Sequence, residues 1–241
     1  MLAPWATLLG YSPAFLDGLW LTASMSVLAF AFAFVLGVAG ALARRSRVAP
    51  LRWAGATYVE TIRNTPVLLQ LFIIYFALPE FGIRLGAFEA GAAALAINAG
   101  AYLTEIIRAG LQAVPRGQLE AARSIGLGPG DTFRSVVFPQ ALRYVYPPVV
   151  SQFIQVILGS SLVSQIALKE ITNAAQTINS QTLLTMPVFT IALVLYLFLS
   201  NVTAVLADVV GRNAFKPPLV PRRKGGAPSL RDQLLSMVRG G

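Results

Sequence analysis

The chain has 241 residues, of which 56% are hydrophobic and 12% are charged, and its formal net charge is +9 at pH 7. Charged residues make up about 25% of a soluble domain, so this composition predicts a membrane protein. Cysteine and histidine are both absent, which excludes disulfides, thiol chemistry, histidine acid–base catalysis and most zinc sites.

Five apolar segments are long enough to cross a bilayer, which takes about 20 mostly apolar residues. They cover residues 16–43, 55–79, 87–112, 142–168 and 186–211. Residues 1–15 contain no Lys or Arg, so they lack the basic start of a secretory signal peptide, and the first segment is interpreted as a retained helix. Gly37 and Gly40 in that segment predict a close approach of another helix.

The basic residues indicate how these segments are oriented. All 19 Lys and Arg residues except Arg84 and Lys169 lie in or beside the regions that five crossings would place on one side of the membrane. Basic residues stay in the cytoplasm, so the N-terminus is predicted outside and the C-terminal tail inside. The net charge is therefore a topology signal. Nucleic-acid binding is not expected, because no basic–aromatic pattern or binding motif accompanies the charge.

These patterns predict an all-α integral membrane protein with five transmembrane helices. Residues 1–15 would form an outer N-terminal segment, and residues 16–212 the membrane domain, with a cytoplasmic loop at 113–140. Residues 213–241 would form a cytoplasmic tail. The tail is rich in Pro, Gly and Arg and is expected to be largely disordered, with a short helix near residues 229–238.

The loop between the third and fourth segments has a local pattern of its own. Pro115 is expected to end or bend the third helix, and residues 118–125 can form a short helix that Gly126 would cap. Pro129 suits the start of a second helical turn. A short helix held between two spans can serve as a lever for a partner, and a decorated surface loop is the alternative.

The spacing within this loop resembles a known motif. Glu-Ala-Ala at 120–122, Gly126 and Val-Val-Phe-Pro at 136–139 resemble the EAA motif (EAA---G---------I-LP) of permease subunits in bacterial ABC importers. Residues 58–79 and 98–108 resemble the second- and third-span signatures of the polar amino-acid branch, and the likeness covers about residues 15–212. Asn64 stands where that branch usually has Gly, and residues 158–162 lack its usual charged pair, which leaves the substrate class open.

The resemblance implies the type I importer fold in a bacterial inner membrane, multi-pass, with the N-terminus in the periplasm. The chain would be no enzyme and would bind no cofactor itself. Two separate ABC ATPase subunits would hold ATP and Mg²⁺, in agreement with the absence of a Walker motif here. The other implied partners are a second permease subunit, identical or related, a periplasmic binding protein and an amino-acid substrate. The residues implied to couple to the ATPase are Gln118, Glu120, Ala121, Ala122, Ser124, Gly126 and Leu127.

Polar residues inside the spans point to a solute route, because such residues are costly in lipid and usually face a cavity or the bundle interior. Asn98, Tyr102 and Glu105 fall on one helix face. Arg63 would suit the α-carboxylate of an amino acid, and Glu105 the ammonium group. The full predicted set is Arg63, Asn64, Thr65, Gln70, Asn98, Tyr102, Glu105, Gln152, Gln155, Ser160 and Ser161.

Each of these residues also has a structural interpretation. Glu60–Arg63 and Glu105–Arg108 can be neutralising pairs, Tyr102 a packing aromatic, and the Gln and Ser residues of the fourth segment helix-joining groups. The polar segment 169–186, with part of 80–86, is predicted to face the periplasm and contact the binding protein. An ion-gradient secondary transporter and a non-transporting scaffold remain as alternatives; the first predicts internal repeats, and none is evident.

Overall fold

The computed structural model describes residues 3–215, so the predicted tail helix near 229–238 lies outside the described residues, as does all of the predicted disorder beyond residue 215. All regular structure between residues 3 and 215 is helical. The helices are α1 Ala3–Leu9, α2 Ser12–Arg44, α3 Ala49–Arg63, α4 Val67–Phe72, α5 Ala87–Gln112, α6 Arg116–Ser124, α7 Pro129–Thr132, α8 Phe138–Gly159, α9 Ile171–Thr182 and α10 Thr185–Ala214. Two compact units divide at residue 206, and the sites below belong to the first of them.

Between residues 3 and 215, four helical stretches are long and apolar enough to cross a membrane: α2, α5, residues 129–166 and α10. The number rises to five if the bent pair formed by α3 and residues 67–81 counts as one span. The predicted third segment, 87–112, has the bounds of α5. The fourth begins earlier than predicted, because a π turn at Phe133–Val137 leads into α8. Pro139 falls in the first turn of α8, where its missing N–H costs little.

The centre of the fold is the pair α2 and α5, which pack with almost no space between their backbones. A Cβ at Gly37 would lie 2.5 Å from the Cβ of Leu103, and one at Gly100 would lie 2.8 Å from the Cβ of Leu36. Both glycines therefore permit a contact that any larger residue would prevent, as was predicted for Gly37. Gly40 approaches Thr104 in the same way.

The second predicted segment, 55–79, is not one straight helix, and this part of the prediction is wrong. Helix α3 ends at Arg63, and residues 67–81 start again at an angle of 106° to it. We call Asn64–Pro66 the break. Pro66 has no N–H to continue the helical ladder, and a residue that precedes proline is disfavoured in helical geometry. After α4 the chain continues through a π turn, Ile73–Ala77, and a 3₁₀ turn, Leu78–Phe81.

The predicted polar segment 169–186 contains a helix with one buried face. Ile171, Ala174, Ala175 and Ile178 of α9 pack in a cluster with residues of α1, α2 and α10. Residues at i, i+3, i+4 and i+7 lie on one face of a helix, so the polar residues between them point away from the cluster. The first turn of α9 also passes close to α2, where a Cβ at Gly18 would lie 3.1 Å from the Glu170 backbone.

Candidate functional site

A cavity of about 530 Å³ lies between α4, α5, α8 and the 3₁₀ turn Ser160–Ile166, and we call it the first cavity. Its apolar walls include Val67 and Leu95. Five residues of the predicted set line it together: Asn98, Tyr102, Gln152, Gln155 and Ser161. Three amides and two hydroxyl groups on an apolar background give a surface that can both donate and accept hydrogen bonds.

A second cavity, of about 320 Å³, lies between α2, α3 and α5. Its lining is charged and comprises Arg44, Val59, Glu60, Arg63, Asn64, Tyr102 and Glu105. Tyr102 lines both cavities. The guanidinium carbon of Arg63 lies 5.1 Å from the centre of the Tyr102 ring, within the range of a cation–π contact. The predicted residues are thus brought together in two places, with Tyr102 common to both.

Glu105 is held by two arginines. Its Oε1 accepts from Arg44 at 2.5 Å and its Oε2 from Arg108 at 2.7 Å. The Arg108 pair was foreseen from the i, i+3 spacing, but the Arg44 pair was not. Arg44 is the last residue of α2, 61 residues away, and in the sequence it is one member of a basic run that signals topology. The ion pairs agree with the structural interpretation of Glu105, and its proposed contact with an ammonium group stays a prediction.

Three predicted residues line neither cavity. Ser160 is buried and donates to the backbone oxygen of Ile157 at 2.7 Å. Thr65 lies in the break and donates to the oxygen of Thr61 at 2.9 Å. Gln70 is 8% exposed, and both ends of its side-chain amide are hydrogen-bonded within the protein. These contacts stabilise the helices around the cavities, and a contact of the three residues with a substrate stays a prediction.

The loop between α5 and α8 forms the short helix that the sequence predicts. Helix α6 ends at Ser124, and Gly126 follows with φ of 82°, a left-handed conformation that favours glycine. The N–H of Leu127 donates to the oxygen of Ala122 at 3.1 Å, and that of Gly126 to the oxygen of Arg123 at 2.9 Å. Two helix-terminal carbonyls are thereby satisfied by the glycine cap.

This loop helix presents most of its predicted coupling residues to solvent. Gln118, Glu120, Ala121, Ser124 and Gly126 are exposed, Leu127 is half-buried, and Ala122 is buried. Sequence reasoning did not single out Ile125, which is 77% exposed. Ile125 lies directly beside the glycine cap of α6.

A buried carboxyl lies outside both cavities and was also missed. Glu170 is 0% exposed and precedes α9. Its Oε1 accepts from the N–H of Asn173 at 2.8 Å and its Oε2 bonds to the hydroxyl of Tyr196 at 2.5 Å, while the Tyr196 hydroxyl also lies 3.0 Å from that of Thr172. Burial raises the pKa of the Glu170 carboxyl above its ordinary value of 4.5. Glu170 caps α9 and joins it to α10.

The chain is similar to known membrane transport proteins. A family described as the binding-protein-dependent transport system inner membrane component matches residues 33–216. The chain is 41% identical over 186 residues to a probable glutamine ABC transporter permease protein, GlnM, of Bacillus subtilis, with 77% of this chain and 86% of that one covered. It is 42% identical over 171 residues to the L-cystine transport system permease protein TcyB of the same organism, with 71% and 73% covered.

A solved structure is also similar to this chain. It is described as the crystal structure of an amino acid ABC transporter with histidines, and it superposes with a TM-score of 0.81 at 36% sequence identity. The superposition covers 86% of this chain and 97% of that one.

Proposed function

The chain belongs to the family of inner membrane components of binding-protein-dependent transport systems, and from that membership we propose that it admits amino acids to a bacterial cell through the first cavity. It is a permease subunit of an ABC importer, and hydrolysis of ATP belongs to a separate subunit. Relatives named for glutamine and L-cystine support an amino-acid solute. The single observation that carries the proposal is the grouping of Asn98, Tyr102, Gln152, Gln155 and Ser161 around one cavity.

The chemistry of the first cavity suits a small polar solute. A free amino acid carries a carboxylate, which needs hydrogen-bond donors, and an ammonium group, which needs acceptors. The amides of Asn98, Gln152 and Gln155 supply both kinds of group. Residues of the cavity wall such as Val67 and Leu95 would pack on the apolar part of the solute.

The exposed face of α6 is the proposed contact for an ABC ATPase. Pro115 and Gly126 fix both ends of this helix, so a push on it would be passed to α5 and α8 instead of being absorbed by a loose loop. Two ATPase subunits, which hold ATP and Mg²⁺, would act on two permease subunits, identical or related. This chain would hold no cofactor. A periplasmic binding protein would deliver the solute on the side of α9.

The proposed function predicts that reconstituted transporter hydrolyses ATP faster when an amino acid is present. The chain would be placed in liposomes with the ATPase and binding protein encoded beside its gene, and hydrolysis and uptake measured for the twenty L-amino acids. Replacing Gln155 with Ala should lower uptake efficiency about tenfold, the effect of losing one hydrogen bond of about 1.4 kcal/mol. Gln165→Ala is the matched control, since Gln165 is exposed and lies outside the lining of the first cavity.

Three results would contradict this proposal in whole or in part. Uptake driven by an ion gradient without ATP would show a secondary transporter, and no stimulation by any amino acid with an ATPase bound would favour a scaffold. Equal uptake by Gln155→Ala and wild type would remove the first cavity from the solute route while leaving the family assignment in place.

The proposed orientation places α9 in the periplasm and α6 in the cytoplasm. Because the chain has no cysteine, single cysteines can report it without background labelling. Ser180→Cys on α9 should react with a membrane-impermeant maleimide in spheroplasts, and Gly117→Cys on α6 only after the membrane is opened. Ser180 is exposed, and a side chain at Gly117 would meet nothing within 4 Å. The reverse pattern would overturn the orientation.

A further inference from the structure

The break leaves backbone oxygens without their helical partners. In an α-helix the oxygen of Ile62 would accept from the N–H of residue 66, but that residue is proline and has none. Gln70 supplies the missing donor, because its Nε2 lies 2.9 Å from the oxygen of Ile62 and 3.2 Å from that of Thr65. The same Nε2 donates to the Thr65 hydroxyl at 2.9 Å. The geometry of the break therefore depends on the side chains of Thr65 and Gln70.

The other end of the Gln70 amide contacts a residue that lines the first cavity. Its Oε1 accepts from Nδ2 of Asn98 at 3.2 Å, and Asn98 lines that cavity. Gln70 itself is 8% exposed and is not part of the lining. One buried amide thus connects a residue that faces the cavity with the backbone of α3. A solute that accepts a hydrogen bond from the Asn98 amide competes with Gln70 for that donor, or turns the Asn98 amide away from Gln70.

The break also positions the second cavity. Glu60 and Arg63 of α3 and Asn64 of the break line that cavity, so the angle between α3 and α4 sets where these three residues stand. Tyr102 lines both cavities and contacts Arg63. A change at Asn98 can in this way reach the charged cavity through two hydrogen bonds, without any movement of the closely packed pair α2 and α5.

We propose that Gln70 is a positioning residue that links occupancy of the first cavity to the angle of the break, acting through Asn98 and without touching the solute. This inference rests on the proposed function, because it needs a solute in the first cavity. It differs from the sequence-based prediction that Gln70 contacts the substrate. Gln70 has its donors and its acceptor engaged by Ile62, Thr65 and Asn98.

The test compares solute affinity, transport rate and the break angle in the reconstituted transporter. Spin labels at Thr57→Cys on α3 and Phe76→Cys on the π turn, both exposed positions, measure the distance across the break. The probe is L-glutamine, or the amino acid that stimulates hydrolysis most in the panel above. In wild type, adding the probe should shift the distance distribution.

Gln70→Met keeps the length of the side chain and removes its hydrogen bonds. We expect the solute-dependent shift to disappear and the maximal uptake rate to fall at least fivefold, while the KM changes by no more than about twofold. Thr65→Val is a second variant, which tests the inference even if Gln70→Met does not fold. It removes the hydroxyl that accepts from Gln70, at an exposed position outside the first cavity, and it should give the same result. Thr65→Ser, which restores the hydroxyl, should recover both the shift and the rate.

Three outcomes would overturn the inference. The first is a KM in Gln70→Met that rises as much as in Gln155→Ala with an unchanged maximal rate, because Gln70 would then contact the solute. The second is a shift that persists in both Gln70→Met and Thr65→Val. The third is a wild-type transporter that binds no amino acid, which overturns the proposed function as well and is recognised by the missing stimulation of hydrolysis.

Discussion

Replacing Glu170 with alanine is expected to lower the stability of the protein by about 3 kcal/mol, the sum of a lost helix cap and a lost buried hydrogen bond to a carboxyl group. The carboxyl is 0% exposed, and its two oxygens bond to the N–H of Asn173 and the hydroxyl of Tyr196. Alanine leaves both of these groups without that partner and leaves a void between α9 and α10. Thermal unfolding of the purified protein in detergent measures the effect as a lower melting temperature.

Glu170→Gln is the matched control for this experiment. Its amide oxygen still accepts from Asn173, and its size is nearly that of the carboxyl, so its melting temperature should lie much closer to wild type than that of Glu170→Ala. Equal stability of all three proteins would show that the bonds to Asn173 and Tyr196 contribute nothing to the packing of α9.

Replacing Glu105 with glutamine is expected to destabilise the protein by about 2 kcal/mol, less than the loss of a fully buried pair because the Glu105 side chain is partly exposed. Arg44 and Arg108 both pair with this carboxylate, and Arg63 lines the same cavity. Without this negative charge, Arg44 and Arg108 lose their common partner and repel one another. Melting temperature and the yield of folded protein both measure the loss.

The pair Asp208 and Arg212 provides the control. These two residues also form an ion pair, one turn apart on α10, but their side chains are 41% and 59% exposed. Asp208→Asn should therefore change stability by less than about 1 kcal/mol. A Glu105→Gln protein as stable as wild type that no longer binds amino acids would instead support the predicted contact between Glu105 and the solute ammonium.

Features that depend on neighbouring residues could be predicted from the sequence. The bounds of α5 follow from a mostly apolar stretch, free of proline, between Gly86 and Pro115. The cap at Gly126 follows from the preference of glycine for positive φ after a helix. The common face of Asn98 and Tyr102 follows from their i, i+4 spacing, and both residues do line the first cavity.

Features that depend on distant residues could not be predicted. Pro66 is visible in the sequence, but a proline in a helix can produce either a mild kink or a full break. The angle of 106° between α3 and residues 67–81 is accompanied by a hydrogen bond from Gln70 to the oxygen of Ile62, eight residues earlier. The ion pair of Arg44 with Glu105 joins residues 61 positions apart. In the sequence, Glu170 is one charged residue in a polar segment, and its bond to Tyr196, 26 residues away, could not be predicted.

The division of the predicted residues between two cavities also depends on contacts between residues that are distant in the sequence. Spacing along a helix assigns a side chain to a face, and it does not say which neighbouring helix that face meets. Asn98 and Tyr102 share the first cavity with Gln155 of α8. Tyr102 also lines the second cavity, where Glu105, one turn further along α5, pairs with Arg44 of α2. The packing of the helices therefore decides which predicted residues line the uncharged first cavity and which line the charged second cavity, with Tyr102 common to both.

The contact between α2 and α5 restricts how the protein can change shape. Leu103 lies against Gly37, and Leu36 against Gly100, at separations that only glycine permits. Sliding either helix along the other by a single residue would drive a side chain into backbone, so an axial register shift between them is excluded. Any change of access must therefore move α2 and α5 together as a rigid body. The elements that can move relative to this pair are α3 and α4, which are joined at Pro66 and held by the amide of Gln70.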